Sequence, residues 1–149
     1  MTLLVVLVLS AVAVGVSPFA VRVLDRKAGW PLAALFIAAA WVMGRHVPDV
    51  VSHSPLSYKI TWLKDAIAPG MDIDFALRGD ALSVFFALLA LVIGAAVFIY
   101  SAAYLHNNDG NTSFYLIMSA FMLSVLLLVL SDDVVVLFIA WELVSIGSF

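Results

Sequence analysis

The sequence predicts an all-α polytopic membrane protein with about five transmembrane helices, the last of them truncated, and a short β-hairpin in an external loop. Composition is the first reason. Of 149 residues, 65% are hydrophobic and 11% charged, where a soluble domain has about 45–50% apolar and about 25% charged residues. The second reason is that the apolar residues form runs near the roughly 20 residues that cross a hydrocarbon core. The third is a stretch of alternating apolar and polar residues, typical of a strand.

The first two helices are predicted at about residues 3–23 and 28–46. The run "LLVVLVLSAVAVGVSPFAVRV" lacks a basic segment before it and is long for a signal peptide, so we interpret it as a retained helix. Pro18 lies inside it, which a membrane helix accepts as a kink when neighbours bond the freed carbonyl. The run "WPLAALFIAAAWVMG" has Trp30 and Trp41 near its ends, as at lipid–water interfaces.

An extra-membrane loop is predicted at residues 47–79. Its segment "MDIDFALRGD" alternates apolar and polar residues, "SYKITWL" precedes it, and Pro69–Gly70 can form a turn between them. These segments predict the β-hairpin.

Three further helices are predicted at about residues 81–105, 114–130 and 134–149, with the turns "HNNDGNTS" and "SDD" between them. Residues 1–149 are therefore predicted to form a single membrane domain of hairpinned helices. The basic turn that holds Arg22, Arg26 and Lys27 is expected in the cytoplasm. This orientation puts the N-terminus, the β-hairpin and the "SDD" turn outside.

Several classes of function are excluded by what the sequence lacks. There is no cysteine, so neither a disulfide framework nor a thiolate site can form. There is no basic stripe for nucleic acid, no Gly-rich phosphate loop and no Ser/His/Asp arrangement. We therefore predict no catalytic residue, no bound cofactor in this chain and no metal site. The three histidines are dispersed in loops and are expected to be solvated surface residues; they are His46, His53 and His106.

Glu142 stands in the middle of an apolar run, about 13 Å along its helix from Asp133. This distance predicts a position near the midplane of a hydrocarbon core about 30 Å thick. A charge there costs about 2.5–3.5 kcal/mol, so such residues face a bundle interior or a hydrated cavity. We favour a proton- or cation-handling carboxylate over a neutral Glu that only joins helices. Ser145, Ser119 and Ser124 could reach it, but none can neutralise a charge, so the counter-ion is expected in missing sequence or another subunit.

Three other acids lie at predicted helix ends. Asp80 precedes the third helix and Asp132 and Asp133 precede the fifth. Capping of the helix N-terminus is the favoured role for each, because carboxylates there accept backbone N–H bonds and favour the positive end of the helix dipole. The alternative for Asp132 and Asp133 is cation collection at an entrance.

Two stretches of this sequence resemble the antiporter-like subunits, the family that joins the large subunit of Mrp-type multisubunit Na⁺/H⁺ antiporters with the proton-pumping membrane subunits of respiratory complex I. They are "RGDALSVFFALLALVIGAAVFIYSAAYL" and "FYLIMSAFMLSVLLLVLSDDVVVLFIAWELVSIGSF", which are similar to the third to fifth helices of the family. The matching positions are Asp80-Ala-Leu-Ser, Tyr100, Tyr104, Ser131-Asp132-Asp133 and Trp141-Glu142-Leu143. The family commonly has Asp-Asn where this chain has Asp132-Asp133. The first seventy residues or so fit the family in layout only.

The resemblance implies that Glu142 is the family's fifth-helix glutamate, which pairs with a lysine on the seventh helix. Family members are several times longer, so the resemblance implies that this sequence is an N-terminal piece that has the acid and lacks the base. "WELVSIGSF" is closer to the antiporter branch than to the complex I branch.

The sequence is therefore interpreted as part of a multisubunit monovalent cation/proton antiporter, not itself an enzyme, in a bacterial inner or plasma membrane. Its expected partners are other antiporter subunits, the lipid bilayer, and H⁺ with Na⁺ or K⁺ as transported ions. One alternative is a proton-translocating membrane subunit of NADH–quinone oxidoreductase. The other is a structural membrane subunit with no transport role.

Overall fold

The computed structural model describes residues 1–52, 54–63, 73–105 and 111–148. Six helices and two strands follow one another along these residues. In chain order they are α1 (Thr2–Leu24), a 3-10 turn (Asp25–Ala28), α2 (Gly29–Gly44), α3 (Val47–Val51), β1 (Leu56–Leu63), β2 (Ile73–Gly79), α4 (Ala81–Tyr104), α5 (Asn111–Leu130) and α6 (Val134–Ser148). The predicted helical membrane protein with a small antiparallel hairpin is confirmed.

Four of the helices close into a ring. Helix α1 packs against α2 and α5, and α4 packs against the same two helices from the other side. Helix α6 lies outside this ring, where it packs against α5 and touches β2. The fold therefore places α6, which carries Glu142, outside the ring of four helices.

Helices α1, α4 and α5 are long and apolar enough to cross a membrane. Helices α2 and α6, with 16 and 15 residues, are apolar but shorter. The 3-10 turn leads directly into α2, so the helical segment is extended on that side by four residues, three of which are charged. Helix α5 begins at Asn111, three residues before the apolar run that predicted it.

Pro18 lies inside α1. It has no backbone N–H to donate, yet the carbonyl that would have accepted this bond still has a hydrogen-bond partner. A proline at position 18 cannot donate to the carbonyl of Val14, four residues earlier. The hydroxyl of Ser17 donates to that carbonyl instead, over 2.8 Å. The neighbouring side chain thus replaces the missing hydrogen bond, as membrane helices with proline require.

Close packing joins α2, α4 and α5 at the end of the bundle away from the hairpin. The rings of Phe36 and Phe98 stack at 5.1 Å between centroids, and Phe98 and Tyr115 at 6.0 Å. All three side chains are fully buried. Gly29 permits this approach, because a Cβ there would meet the backbone oxygen of Phe98 and lie 2.9 Å from the Cβ of Ala102.

The hairpin pairs β1 and β2 antiparallel, from Leu56 opposite Gly79 to Leu63 opposite Ile73. The register shifts between Thr61 and Leu63. The predicted Pro69–Gly70 turn lies outside the described residues. Helix α3 was not predicted, since its five residues contain Pro48 and form no apolar run.

Candidate functional site

Helix α6 begins in a cap that the "SDD" turn provides. The carboxylate of Asp133 accepts the backbone N–H groups of Val135 at 2.8 Å and Val136 at 3.2 Å. These amides have no partner within the helix, so the acid satisfies them and faces the positive end of the helix dipole. The hydroxyl of Ser131 donates to the carbonyl of Asp133 at 2.9 Å and braces the turn.

Glu142 lies on the exposed face of α6, away from α5. The buried residues of α6 are Val136 and Ala140, and a Cβ at Gly147 would lie 3.2 Å from Phe121 of α5. At about 100° per residue, Glu142 is about 160° from Ala140 around the helix. The carboxylate therefore points to a side of α6 that no described residue covers.

The packing of α6 also sets the depth of Glu142 along α5. Phe121 is the eleventh of the 20 residues of α5, so Gly147 lies beside the middle of that helix. The two helices run antiparallel, and Glu142, five residues before Gly147, is about 7.5 Å nearer the hairpin end. Trp141 shares a groove with Leu128 of α5 at this level. A position at the bilayer midplane stays a prediction.

Within the described residues, the side chain of Glu142 makes no hydrogen bond or ion pair. Ser119 and Ser124 are buried and donate to carbonyls of their own helix, those of Tyr115 and Ala120. Ser145 is exposed, one turn after Glu142. Besides Ser145, the exposed neighbours of Glu142 on the open face of α6 include large apolar side chains, namely Phe138, Trp141, Leu143 and Ile146.

Asp80 caps α4. Its carboxylate accepts the backbone N–H of Ser83 at 2.8 Å, and this bond lowers the pKa of Asp80 below its ordinary value of 3.8. Asp132 has an exposed side chain, while its backbone N–H donates to the carbonyl of Ala76 in β2 at 2.9 Å. The structure thus gives a capping bond to Asp80 and Asp133, and a main-chain bond to the third acid.

An ion pair that was not predicted crosses the hairpin. The ammonium of Lys59 lies 2.7 Å from a carboxylate oxygen of Asp74. The hydrogen bond to Asp74 and then the charge of Asp74 raise the pKa of Lys59. Hydrogen bonds from Lys59 and then Thr61 lower the pKa of Asp74, and the charge of Lys59 lowers it further. Asp133 and Asp132 add to the negative potential at Lys59. The two residues are not directly opposite in the register, so the alternation of the strands alone did not reveal them.

His46 is half-buried and bonded, in contrast to the solvated histidine that was expected. Its Nδ1 lies 3.1 Å from Asp49 and its Nε2 lies 3.1 Å from the hydroxyl of Thr2. His53 and His106 lie outside the described residues. No group of three or more acids and histidines that could hold a metal ion occurs among the residues that the structure describes.

An apolar cavity of about 430 Å³ lies between the hairpin, α5 and α6. The described residues that line it are uncharged; they are Ile60, Thr61, Phe75, Leu127, Val136 and Ile139. The only charged residue inside the apolar run of α6 is Glu142.

Residues 62–115 match the family described as the N-terminus of chain 5 of NADH-ubiquinone oxidoreductase (complex I). The antiporter subunits mnhA2 of Staphylococcus aureus strains MRSA252 and JH9 are each 37% identical over 130 residues. Those residues are 86% of this chain and 16% of each relative. A solved structure of the Mrp complex from Dietzia sp. DQ12-45-1b superposes with a TM-score of 0.83 at 33% identity. That match covers 99% of this chain and 15% of the other.

Proposed function

This chain belongs to the antiporter-like subunit family, and it is similar to the N-terminal region of the large Mrp-type subunit. From this premise we propose that it works in a multisubunit monovalent cation/proton antiporter. In this proposal Glu142 is a proton-carrying group of the exchange of H⁺ for Na⁺ or K⁺. We assign no catalytic residue and no bound cofactor to this chain. Other antiporter subunits are its partners, in the bacterial cell membrane.

The observation that supports a transport role is the placement of Glu142. Its carboxyl group stands on an apolar face of α6, and the described residues offer it no partner. An ionised group in such surroundings is unfavourable unless a partner or water reaches it. Ionisable residues are therefore rare inside membrane-spanning helices. Because the charge of such a carboxyl group depends on its surroundings, the group is suited to a proton pathway.

The proposed mechanism is a change in the surroundings of one carboxyl group. Low-dielectric surroundings favour the neutral form of a carboxyl group, and a nearby cation favours the charged form. A cationic group that approaches the open face of α6 would release the proton of Glu142, and its withdrawal would let the carboxylate take up a proton again. Glu142 then passes one proton for each such cycle.

The direct test is cation-dependent proton movement in membrane vesicles that contain the whole antiporter with Glu142→Gln. We expect exchange to be lost, since glutamine keeps the size of the side chain and cannot give up a proton. Glu142→Asp should retain part of the activity, because the acid remains but is one methylene shorter. Asp49→Asn is the matched control, as it removes an exposed carboxylate elsewhere and should leave exchange intact. Full exchange with Glu142→Gln would overturn the proposal and favour a structural role.

A second candidate is a proton-translocating membrane subunit of an NADH–quinone oxidoreductase. The match of residues 62–115 to the complex I family supports it. The two candidates differ in the cofactors of the whole assembly. A complex purified through a tag on this chain should be colourless if it is an antiporter, and flavin and iron–sulfur absorbance would favour the second candidate.

A further inference from the structure

The structure ties the start of α6 to the hairpin through main-chain bonds. The backbone N–H of Asp132 donates to the carbonyl of Ala76 at 2.9 Å. Leu77 of β2 and Ser131 are paired by an antiparallel bridge. Leu77 is 1% exposed, so its side chain is sealed at this junction. We call Ala76, Leu77, Ser131 and Asp132 the hairpin clamp.

The clamp acts one residue before the cap of α6. Asp132 is bonded to β2, and Asp133, the next residue, accepts the first amides of the helix. A displacement of the strand therefore moves the cap and the helix axis together. Helix α6 has little else to hold it in the described structure, because α5 is the one helix on which it packs closely and it lies outside the ring.

The hairpin is in turn held to the ring. Gly79 packs close to Leu3 of α1, where a Cβ would lie 3.0 Å from the leucine side chain. The ion pair of Lys59 and Asp74 joins β1 to β2, and Lys59 also faces the negative charges of Asp132 and Asp133. A continuous path of contacts thus runs from α1 through the hairpin to the first turn of α6.

We propose that the hairpin clamp is a positioning element that fixes the depth and rotation of α6, and with them the location of the Glu142 carboxyl group. Glu142 lies nine residues after Asp133, about 13 Å along a rigid helix. A slip of one residue at the clamp would move the carboxyl about 1.5 Å along the axis and turn it by about 100°. The importance of this location rests on the proposed function, whereas the positioning itself does not.

The test is the distance between spin labels in the assembled membrane protein. Val23→Cys on α1 and Ser145→Cys on α6 give exposed attachment sites. The unsubstituted chain has no cysteine. Labelling the unsubstituted assembly therefore measures the background signal from partner subunits. Asp132→Pro removes the N–H that bonds Ala76, and Asp132→Asn is the matched control, since it removes the charge and keeps the N–H.

We expect one narrow distance peak in the unsubstituted clamp and in Asp132→Asn. In Asp132→Pro we expect a broadened peak whose mean is displaced by more than about 1.5 Å. An unchanged peak in Asp132→Pro, or equal broadening in Asp132→Asn, would overturn the proposal. Should Asp132→Pro fail to insert, Leu77→Ala must broaden the peak and its exposed neighbour Arg78→Ala must not.

Ion exchange by the same variants separates this inference from the proposed function. If Glu142→Gln retains exchange while Asp132→Pro displaces the peak, the clamp stands and the transport role fails. If Glu142→Gln abolishes exchange while Asp132→Pro leaves the peak unchanged, the transport role stands and the clamp fails. If the clamp and the transport role of Glu142 are both correct, ion exchange in Asp132→Pro should fall below that of Asp132→Asn.

Discussion

At the scale of single residues, the acids of this chain have distinct surroundings that their type alone does not reveal. Asp80 and Asp133 accept amide hydrogens at helix starts, Asp74 pairs with Lys59, and Glu142 has no such partner among the described residues. The hydrogen bonds that Asp74 and Asp80 accept lower the pKa values of these two groups, because they stabilise the charged form. Glu142 lies within an apolar helix with no compensating charge from the described residues, which is why the proposed proton exchange belongs to it.

The ion pair of Lys59 and Asp74 predicts a pH dependence of the hairpin. Because the pKa of Asp74 is lowered, its carboxylate stabilises the hairpin fully above pH 3.8. This stabilisation is lost as the pH falls below that value. Because the pKa of Lys59 is raised, its ammonium group stabilises the hairpin fully below pH 10.5. This stabilisation is lost as the pH rises above that value. A spin label at Ser57→Cys on β1 should therefore show constant mobility between these limits and greater mobility beyond either.

Lys59→Gln is the control for this titration. It should raise the mobility of the label at neutral pH and abolish the alkaline change, because no ammonium remains to be lost. A step in mobility near neutral pH that survives in Lys59→Gln would contradict the assignment, since neither partner of the pair titrates there.

At the scale of elements, the sequence was sufficient to predict the five apolar helices and the hairpin, but not the short helix α3 or which elements pack together. The apolar runs and the alternation of "MDIDFALRGD" locate these elements because each is a local pattern. The ring order, in which α1 joins α2 and α5, was not predictable, since helices that are apolar on all sides show no preferred face. The bond between Ala76 and Asp132 was missed for a related reason, as it joins residues far apart in sequence.

The candidate site likewise has one feature that a local sequence pattern predicts and another that depends on packing. Glu142 is evident from the sequence, because one charge inside an apolar run is a local feature. Its direction away from α5 depends on which side of α6 packs, and that follows from the contacts of Ala140 and Gly147. The bond of His46 to Thr2 likewise requires the start of α1 to meet the chain just after the end of α2.

Gly29 provides a test of the packing between elements. Gly29→Ala should lower the free energy of unfolding by about 1–3 kcal/mol, because the new methyl group would overlap the backbone of α4. Denaturant unfolding in detergent micelles measures the effect. Gly15→Ala is the matched control: a Cβ there has no atom within 4 Å, so its effect should be within about 1 kcal/mol and favourable to the helix. Equal stability of the two variants would contradict the close approach of α2 and α4.

At the scale of the whole molecule, the described residues include a ring of four helices, α1, α2, α4 and α5, with α6 attached to its outside. The hairpin packs against the ring and is bonded to the residues just before α6. The chain spans 16% of the length of the curated relatives that it matches. The open face of α6, with Glu142 among large apolar side chains, is the surface on which we expect the cationic partner of the proposed exchange.

The central claim is that Glu142 gains and loses a proton as ions exchange, and infrared difference spectroscopy of the assembled protein tests it most directly. Spectra recorded with and without the transported cation should contain the C=O band of a protonated carboxyl group. That band should shift on ¹³C labelling of glutamate and vanish in Glu142→Gln. The same band with full intensity in Glu142→Gln, or no cation-dependent carboxyl band at all, would contradict the account.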